Sequence, residues 1–485
     1  MKNYPILRNA CVLAVLTLIG ILIAGYHPGA EDDGVYLAAI KHDLNPSLFP
    51  HDSDFFAVQL QATIFDKMVA ASIRATHLPL GWVVLAGHFL AVYLVLLGCW
   101  RIARRCFPKE AAQWAAVTMV AVLLTLPVAG SALYLVDQNL HPRALATAAI
   151  LAAIVAILDR KYLLTVGLLA LAVLIHPIMA TFGISFCIFL AWKQSAPRVA
   201  MGALVLAPLG WIFEPTSEAW RVAANTRDYY FLSRWQWYEW LGVFAPLLIL
   251  WWLRKVAQAE GAATLAQLIS RLTWYGGFQL IVAIALMLPA SLQRVRPLQP
   301  MRYLHLFYLL FVLIAGGLLG QKVLKTYWIR WLLVFVPLAA GMLFAQRQTY
   351  PTSPHLEWPG SAPRNPWLEA FAWIRDHTPT NSYFAAGTGY MQRPGEDYHG
   401  FRALAERSVL ADLAKDSAVA TQVPRLSKRW QDEVDAQLGW EHFRLADFQR
   451  LKNRFGVDWV LIERPVVEGL QCPYENVAVL VCRVP

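Results

Sequence analysis

From residue 9 to residue 345 the chain alternates long apolar stretches with short polar connections, and such a succession reads as membrane-crossing helices. A span needs about 20 mostly apolar residues. Stretches near residues 9 to 25, 79 to 99, 111 to 131, 144 to 158, 162 to 175, 178 to 192, 199 to 213, 238 to 253, 272 to 290, 303 to 320 and 331 to 345 predict about eleven spans, several of them short. Basic residues set the direction. Lys2 and Arg8 precede the first span, and Arg101, Arg104, Arg105 and Lys109 follow the second. Arg160 with Lys161, Lys193 with Arg198, Arg254 with Lys255, and Lys322, Lys325 and Arg330 continue the alternation. The positive-inside rule then puts the N-terminus in the cytoplasm, and an odd number of spans puts everything after residue 345 outside. The first segment also resembles a signal peptide. It reads as an uncleaved signal anchor, because no small-x-small cleavage site follows.

The pattern changes in the tail. Pro351, Pro354, Pro359, Pro363 and Pro366 make residues 346 to 366 an extended linker. Residues 367 to 485 predict a small α/β domain, with helices near 366 to 377, 423 to 438 and 445 to 455 and strands near 383 to 386, 457 to 462 and 477 to 484. The expected fold class is therefore mainly α: a polytopic bundle over residues 1 to 345 with an extracytoplasmic α/β domain behind it.

Composition agrees, with 58% hydrophobic and 15% charged residues excluding a soluble enzyme. The net charge of +10 does not imply nucleic acid, because the basic residues sit in short loops between spans. Cys472 and Cys482 are the tail's two cysteines; a disulfide suits an oxidising periplasm, yet ten residues of separation leaves pairing open. The other four cysteines read as small apolar core residues.

Charge is rationed, so the first outer loop, residues 26 to 78, stands out. It carries Glu31, Asp32 and Asp33, then His51, Asp52 and Asp54, then a stretch from Val58 to Ile73 that predicts a helix lying on the membrane, its apolar face formed by Leu60, Ile64, Met68 and Ala71. A carboxylate costs roughly 2.5 to 3.5 kcal/mol at the centre of a span, so acids gather outside the hydrocarbon.

One span, a long outer loop with an acidic motif near its start, a bundle of about eleven spans and an outer soluble domain together resemble the GT-C superfamily of membrane glycosyltransferases, which includes protein mannosyltransferases and oligosaccharyltransferase catalytic subunits. The motif Glu31-Asp32-Asp33-Gly34-Val35-Tyr36 is similar to that superfamily's Glu-Asp or Asp-x-Asp signature, but its acids are adjacent. The stretches Phe401-Arg402, Glu406-Arg407-Ser408 and residues 137 to 143 are similar to a bacterial subgroup whose activity is not assigned. The resemblance implies a polyprenyl-phosphate-linked sugar donor, a glycan, lipid or protein acceptor, and residence in a bacterial inner membrane with the tail in the periplasm.

Transfer chemistry needs a carboxylate to take or orient an acceptor proton, which Asp32, Asp33 or Glu31 offers; the bland alternative is that these acids cap a helix starting at Gly34. A departing phosphate needs positive charge. Arg294, Arg296 and Arg302 supply it on the outer side, unless they contact headgroups. Asp137, Gln138, Asn139, His141 and Arg143 either line the same cavity as substrate-binding groups or cap the helix of Pro142. Asp32, Asp33, Asp52 and Asp54 are hard oxygen donors suited to Mg²⁺ or Mn²⁺. The aromatic loop 214 to 240 reads as an interfacial belt, His176 as a structural histidine, and Arg402, Glu406 and Arg407 as an internal ion-pair network. A transporter or flippase, and a scaffold that keeps the fold without activity, are the rival classes; most embedded segments lack the ionisable residues that mark a transport path.

Overall fold

The computed structural model describes residues 4–192, 214–393 and 397–485. The helices in chain order are α1 (Tyr4–Ala24), α2 (Asp33–Leu44), α3 (Asp54–Ala62), α4 (Phe65–Thr76), α5 (Leu80–Cys106), α6 (Glu110–Val122), α7 (Pro142–Leu158), α8 (Tyr162–Ile175), α9 (Pro177–Ala191), α10 (Glu218–Asn225), α11 (Trp237–Ala259), α12 (Ala263–Met287), α13 (Tyr303–Leu319) and α14 (Trp328–Thr349). The tail adds α15 (Pro366–His377), α16 (Phe401–Ala405), α17 (Asp416–Gln422), α18 (Ser427–Asp435) and α19 (Leu445–Phe455).

Two compact units result. The first comprises residues 1 to 25, 86 to 215 and 228 to 346, the second residues 26 to 85, 216 to 227 and 347 to 485. The outer loop, which the sequence attached to the bundle, thus folds in one unit with the tail.

Among the described residues, six segments are long and apolar enough to cross a membrane: Ile6–Ala24, Leu80–Cys106, Trp237–Ala259, Ala263–Met287, Pro300–Leu324 and Trp328–Thr349. The helices α7, α8 and α9 are apolar but shorter. The span expected at 199 to 213 lies outside the described residues. The one expected at 111 to 131 ends at Val122, because Pro127–Val128 (β1) and Leu133–Tyr134 (β2) pair antiparallel through a turn at Gly130, whose φ of +56° suits glycine. A Cβ there would collide with the ring of Trp235.

Local chemistry sets the helix starts. In α7 and α9 a His-Pro pair opens the helix: proline needs no N–H at the first position, and the imidazoles of His141 and His176 accept from the backbone N–H groups of Arg143 (3.1 Å) and Met179 (3.4 Å). Small residues set the packing of α13 on α6. A Cβ on Gly316 would lie 2.6 Å from Met119 Cβ, and one on Gly320 would lie 2.4 Å from Ala115 Cβ, so this small-xxx-small face brings the two backbones together.

In the second unit the predicted membrane-surface helix is broken between α3 and α4. Met68 and Ala71, on its predicted apolar face, do point outward, whereas Phe65, Asp66, Val69 and Ala70 are buried. The tail sheet has the order β4-β3-β5-β7-β6, with β3 (Tyr383–Ala385) parallel to β4 (Ser408–Val409) and β5 (Trp459–Glu463), and β7 (Val479–Arg483) antiparallel to β5 and β6 (Gln471–Glu475). Side-chain alternation builds two cores: Phe384, Leu461 and Val481 pack with Trp367, Phe371 and Ile374 of α15, while Tyr383, Val460, Ile462 and Leu480 pack with Phe448 and Leu451 of α19. Cys472 and Cys482 form a disulfide between β6 and β7, closing the pairing that the sequence left open. Cys99, Cys106 and Cys187 are buried as expected, but Cys11 is exposed.

Gly320→Leu is expected to force α13 off α6 and lower the melting temperature of the detergent-solubilised protein by several degrees; an unchanged melting curve would show that this contact does not hold the bundle.

Candidate functional site

The acid run occupies the turn that leads into α2, and its three carboxylates do three different things. Asp33 is 1% exposed, and its Oδ2 accepts the Gly29 N–H at 2.6 Å, closing the turn. Glu31 and Asp32 face outward, with side chains 46% and 45% exposed. Both are held by one ammonium, Lys415 Nζ, at 2.6 and 3.0 Å. Burial works against that ammonium, but Asp32 and Glu31 more than offset it and raise its pKa. Asp32 is the N-cap residue of α2 yet makes no side-chain capping bond, so the capping alternative does not describe it.

The turn depends on the tail. The Glu31 N–H donates to the Tyr398 carbonyl at 2.8 Å, and the Gly400 N–H donates to the Gly29 carbonyl at 2.9 Å. Glu31 has φ of +53°, a left-handed conformation costing roughly 1 to 2 kcal/mol in a non-glycine residue. Gly34 and Gly400 touch backbone to backbone: a Cβ on Gly400 would lie 2.8 Å from Gly34 Cα.

Asp52 and Asp54 go elsewhere. Asp52 is fully buried; its Oδ2 accepts from Arg402 Nε and from the Val409 N–H at 3.0 Å. Arg402 also grips Asp416 with both terminal nitrogens at 2.8 and 2.9 Å. Burial pushes the Asp416 carboxyl up to about 7 in spite of Arg402. Asp54 lies 3.4 Å from Arg429. Arg407 donates to Thr378 Oγ1 and to the carbonyls of Thr378, Arg375 and Glu406, and Glu406 pairs with Lys41, so these tail residues serve internal bonding.

Asp32, Asp33, Asp52 and Asp54 therefore form no common donor set for Mg²⁺ or Mn²⁺. Among the described residues, the group able to share an ion is His27, Glu357 and His399, whose ligand atoms lie within 4.8 Å of one another. His27 Nδ1 is 2.7 Å and His399 Nε2 3.0 Å from Glu357 Oε1. Two imidazoles and a carboxylate suit a divalent metal. Burial raises the Glu357 carboxyl, but His399 and His27 bring it below its ordinary value.

In the helical unit, Arg143 clasps Asp137 with two hydrogen bonds of 3.1 and 2.7 Å. His141 and His176 face each other at 6.3 Å between rings. Asp137 Oδ2 is also 3.8 Å from His141 Nδ1, so the structure brings Asp137, His141 and Arg143 together with His176, while His305 Nε2 lies 2.9 Å from the Leu135 carbonyl and Arg302 donates to Gln299 Oε1 at 2.5 Å. The sequence reading missed His305 and also His88, although a buried histidine inside a span is itself a signal. Asn139 is buried nearby in the chain. Gln138 serves structure, donating to the Ala24 carbonyl and to Gln346. Arg294 and Arg296 do not join the group: Arg294 donates to the carbonyls of Glu214 and Pro215, and Arg296 donates to Met287 and stacks on Phe231.

Helices long and apolar enough to cross a membrane make this a membrane protein. Solved structures of the Archaeoglobus fulgidus oligosaccharyltransferase are similar to it. One, tethered with an acceptor peptide, shares 12% identity at a TM-score of 0.46 over 96% of this chain and 70% of that one. A second, AglB with an inhibitory peptide and a dolichol-phosphate, shares 12% at 0.46 over 93% and 69%. A third, a complex with Zn and sulfate, shares 13% at 0.43 over 93% and 68%. These proteins have the GT-C fold that the sequence resembles. No protein-family model matches the chain, and no curated protein matches its sequence.

Two variants test the second unit. Arg402→Met leaves Asp52 and Asp416 buried without their counter-charge and is expected to cost roughly 3 to 5 kcal/mol, read as a large fall in melting temperature; retention of the wild-type value would show that the network contributes no stability. Asp66 is fully buried, neither of its oxygens meets a partner among the described residues, and burial pushes its carboxyl up to about 7. The folded chain keeps a proton that the unfolded chain releases near pH 4, so this group lowers stability as pH rises from about 4 to 7. Asp66→Asn is expected to raise the melting temperature more at pH 8 than at pH 5, and the opposite order would contradict the assignment.

Proposed function

We propose that this chain is an integral membrane glycosyltransferase that moves a sugar from a polyprenyl-phosphate donor to an extracytoplasmic glycan, lipid or protein acceptor. It resides in a bacterial inner membrane, with its N-terminus cytoplasmic and the acid turn and tail on the periplasmic side. The observation that carries this reading is the state of Asp32: accessible, oriented by Lys415 and set on a strained turn, beside Asp33, which is committed to the backbone.

In this reading Asp32 takes the proton of the acceptor group as that group attacks the anomeric carbon. The bond from that carbon to the phosphate oxygen breaks, and the lipid phosphate leaves with the electron pair. Glu31 shares Lys415 with Asp32 and tunes its position. Within the helical unit, Arg143, which Asp137 clasps, and Arg302 are assigned a phosphate-binding role, for which a guanidinium offers two parallel hydrogen bonds, with Asn139 and His141 as further polar groups of that unit. General-base help is worth about 10² to 10⁴ in rate, with positioning and charge stabilisation supplying the rest. No step uses Mg²⁺ or Mn²⁺, because the four aspartates do not share a donor set.

Purified protein in lipid, given a polyprenyl-phosphate sugar and an envelope acceptor fraction, is expected to release polyprenyl phosphate. Asp32→Asn should slow release by about 10²-fold or more with its elution profile intact, whereas Asp33→Asn should first lower stability. Full turnover by Asp32→Asn would remove the proposed base, and solute uptake into sealed vesicles that survives the substitution would favour transport.

A further inference from the structure

We propose that His27, Glu357 and His399 form a zinc site that clamps the acid turn to the tail. The three side chains come from remote parts of the chain, since His27 and Glu357 are 330 positions apart, yet their backbones are already fixed. The Tyr26 N–H donates to the His355 carbonyl at 3.0 Å, and the Glu357 N–H returns to the Tyr26 carbonyl at 2.9 Å. Ala30 and His399 form an antiparallel bridge. The ring of His27 stacks on Tyr350 at 3.8 Å with 13° between planes, which sets its orientation.

The donor set selects the ion. Zinc bound to imidazole at about 2.0 to 2.1 Å places tetrahedral donors roughly 3.3 Å apart. The donors here stand 2.7 and 3.0 Å from the shared carboxylate oxygen and within 4.8 Å overall, so small side-chain rotations open the required space. Two nitrogen donors disfavour Mg²⁺ and Mn²⁺, which prefer oxygen, and Zn²⁺ accepts this mixture readily. His27 and His399 are buried, while Glu357 is partly open, leaving a fourth position for water.

His27 lies four residues before Glu31, and His399 pairs with Ala30. An ion here therefore ties together both strands that hold the turn of Asp32, and Glu357 adds the linker. The clamp stands on its own whether or not Asp32 acts as a base.

The test uses tag-free, full-length protein in detergent, stripped with a chelator and titrated with Zn²⁺ against a chromophoric competitor. One ion per chain is expected, together with a rise in melting temperature. Glu357→Gln and His399→Ala should each weaken binding by on the order of 100-fold or more and abolish that rise, whereas His377→Ala, an exposed histidine on α15, should change neither. Glu357→Gln preserves the shape and an acceptor oxygen, so it reports on the metal if His399→Ala fails to fold. Absence of stoichiometric uptake, uptake that Glu357→Gln leaves unchanged, or Mn²⁺ bound as tightly as Zn²⁺ would overturn the proposal.

Discussion

Two glycines in van der Waals contact hold the rest of this arrangement in place. Gly34 is the second residue of α2 and Gly400 precedes α16, and their backbones approach so closely that a methyl group on Gly400 would lie 2.8 Å from the Gly34 Cα and force the two segments apart. Through that contact the tail reaches the turn Gly29–Gly34, accepts one backbone hydrogen bond from it and donates another to it, and keeps Glu31 in a conformation it would otherwise leave. Lys415 then meets Glu31 and Asp32 from the tail side. The acidic motif is thus not a free loop, because its geometry is a property of residues about 365 positions downstream.

This explains what sequence could and could not reveal. Spans were legible because hydrophobic length is a local quantity, and α1, α5 and α11 to α14 stand where apolar runs placed them. The tail helix α15 was legible from Pro366 and the spacing of Trp367, Phe371 and Ile374. The strand β4 is only two residues long, and β6 contains Pro473, which reads as a turn until its pairing with β7 is seen. The burial of Asp66 contradicts its amphipathic pattern, since nothing local says which side of α4 turns inward.

Within the candidate site, position near a first span identified the acids, but not their division of labour. That Asp33 bonds the backbone while Asp32 stays accessible follows from the turn's dihedral angles, which adjacent acids do not encode. Asp52 matched Asp32 in chemistry and differs from it in fate, because Arg402 lies beside it in three dimensions only. His27, Glu357 and His399 escaped notice for the same reason: each is an isolated polar residue until the linker and the tail bring them within bonding distance. In the helical unit, by contrast, residues 137 to 143 were legible as a group, and the His-Pro start of α7 is both a cap and part of the polar cluster.

The functional account rests on the acid turn facing the compartment where lipid-phosphate sugars meet their acceptors. The most direct measurement is side-specific labelling of Ser47→Cys, an exposed position in the same outer loop, in a protein lacking Cys11, Cys99, Cys106 and Cys187. In sealed, right-side-out membrane vesicles a membrane-impermeant thiol reagent should modify it fully. Protection until the vesicles are opened would place the loop in the cytoplasm and contradict the account.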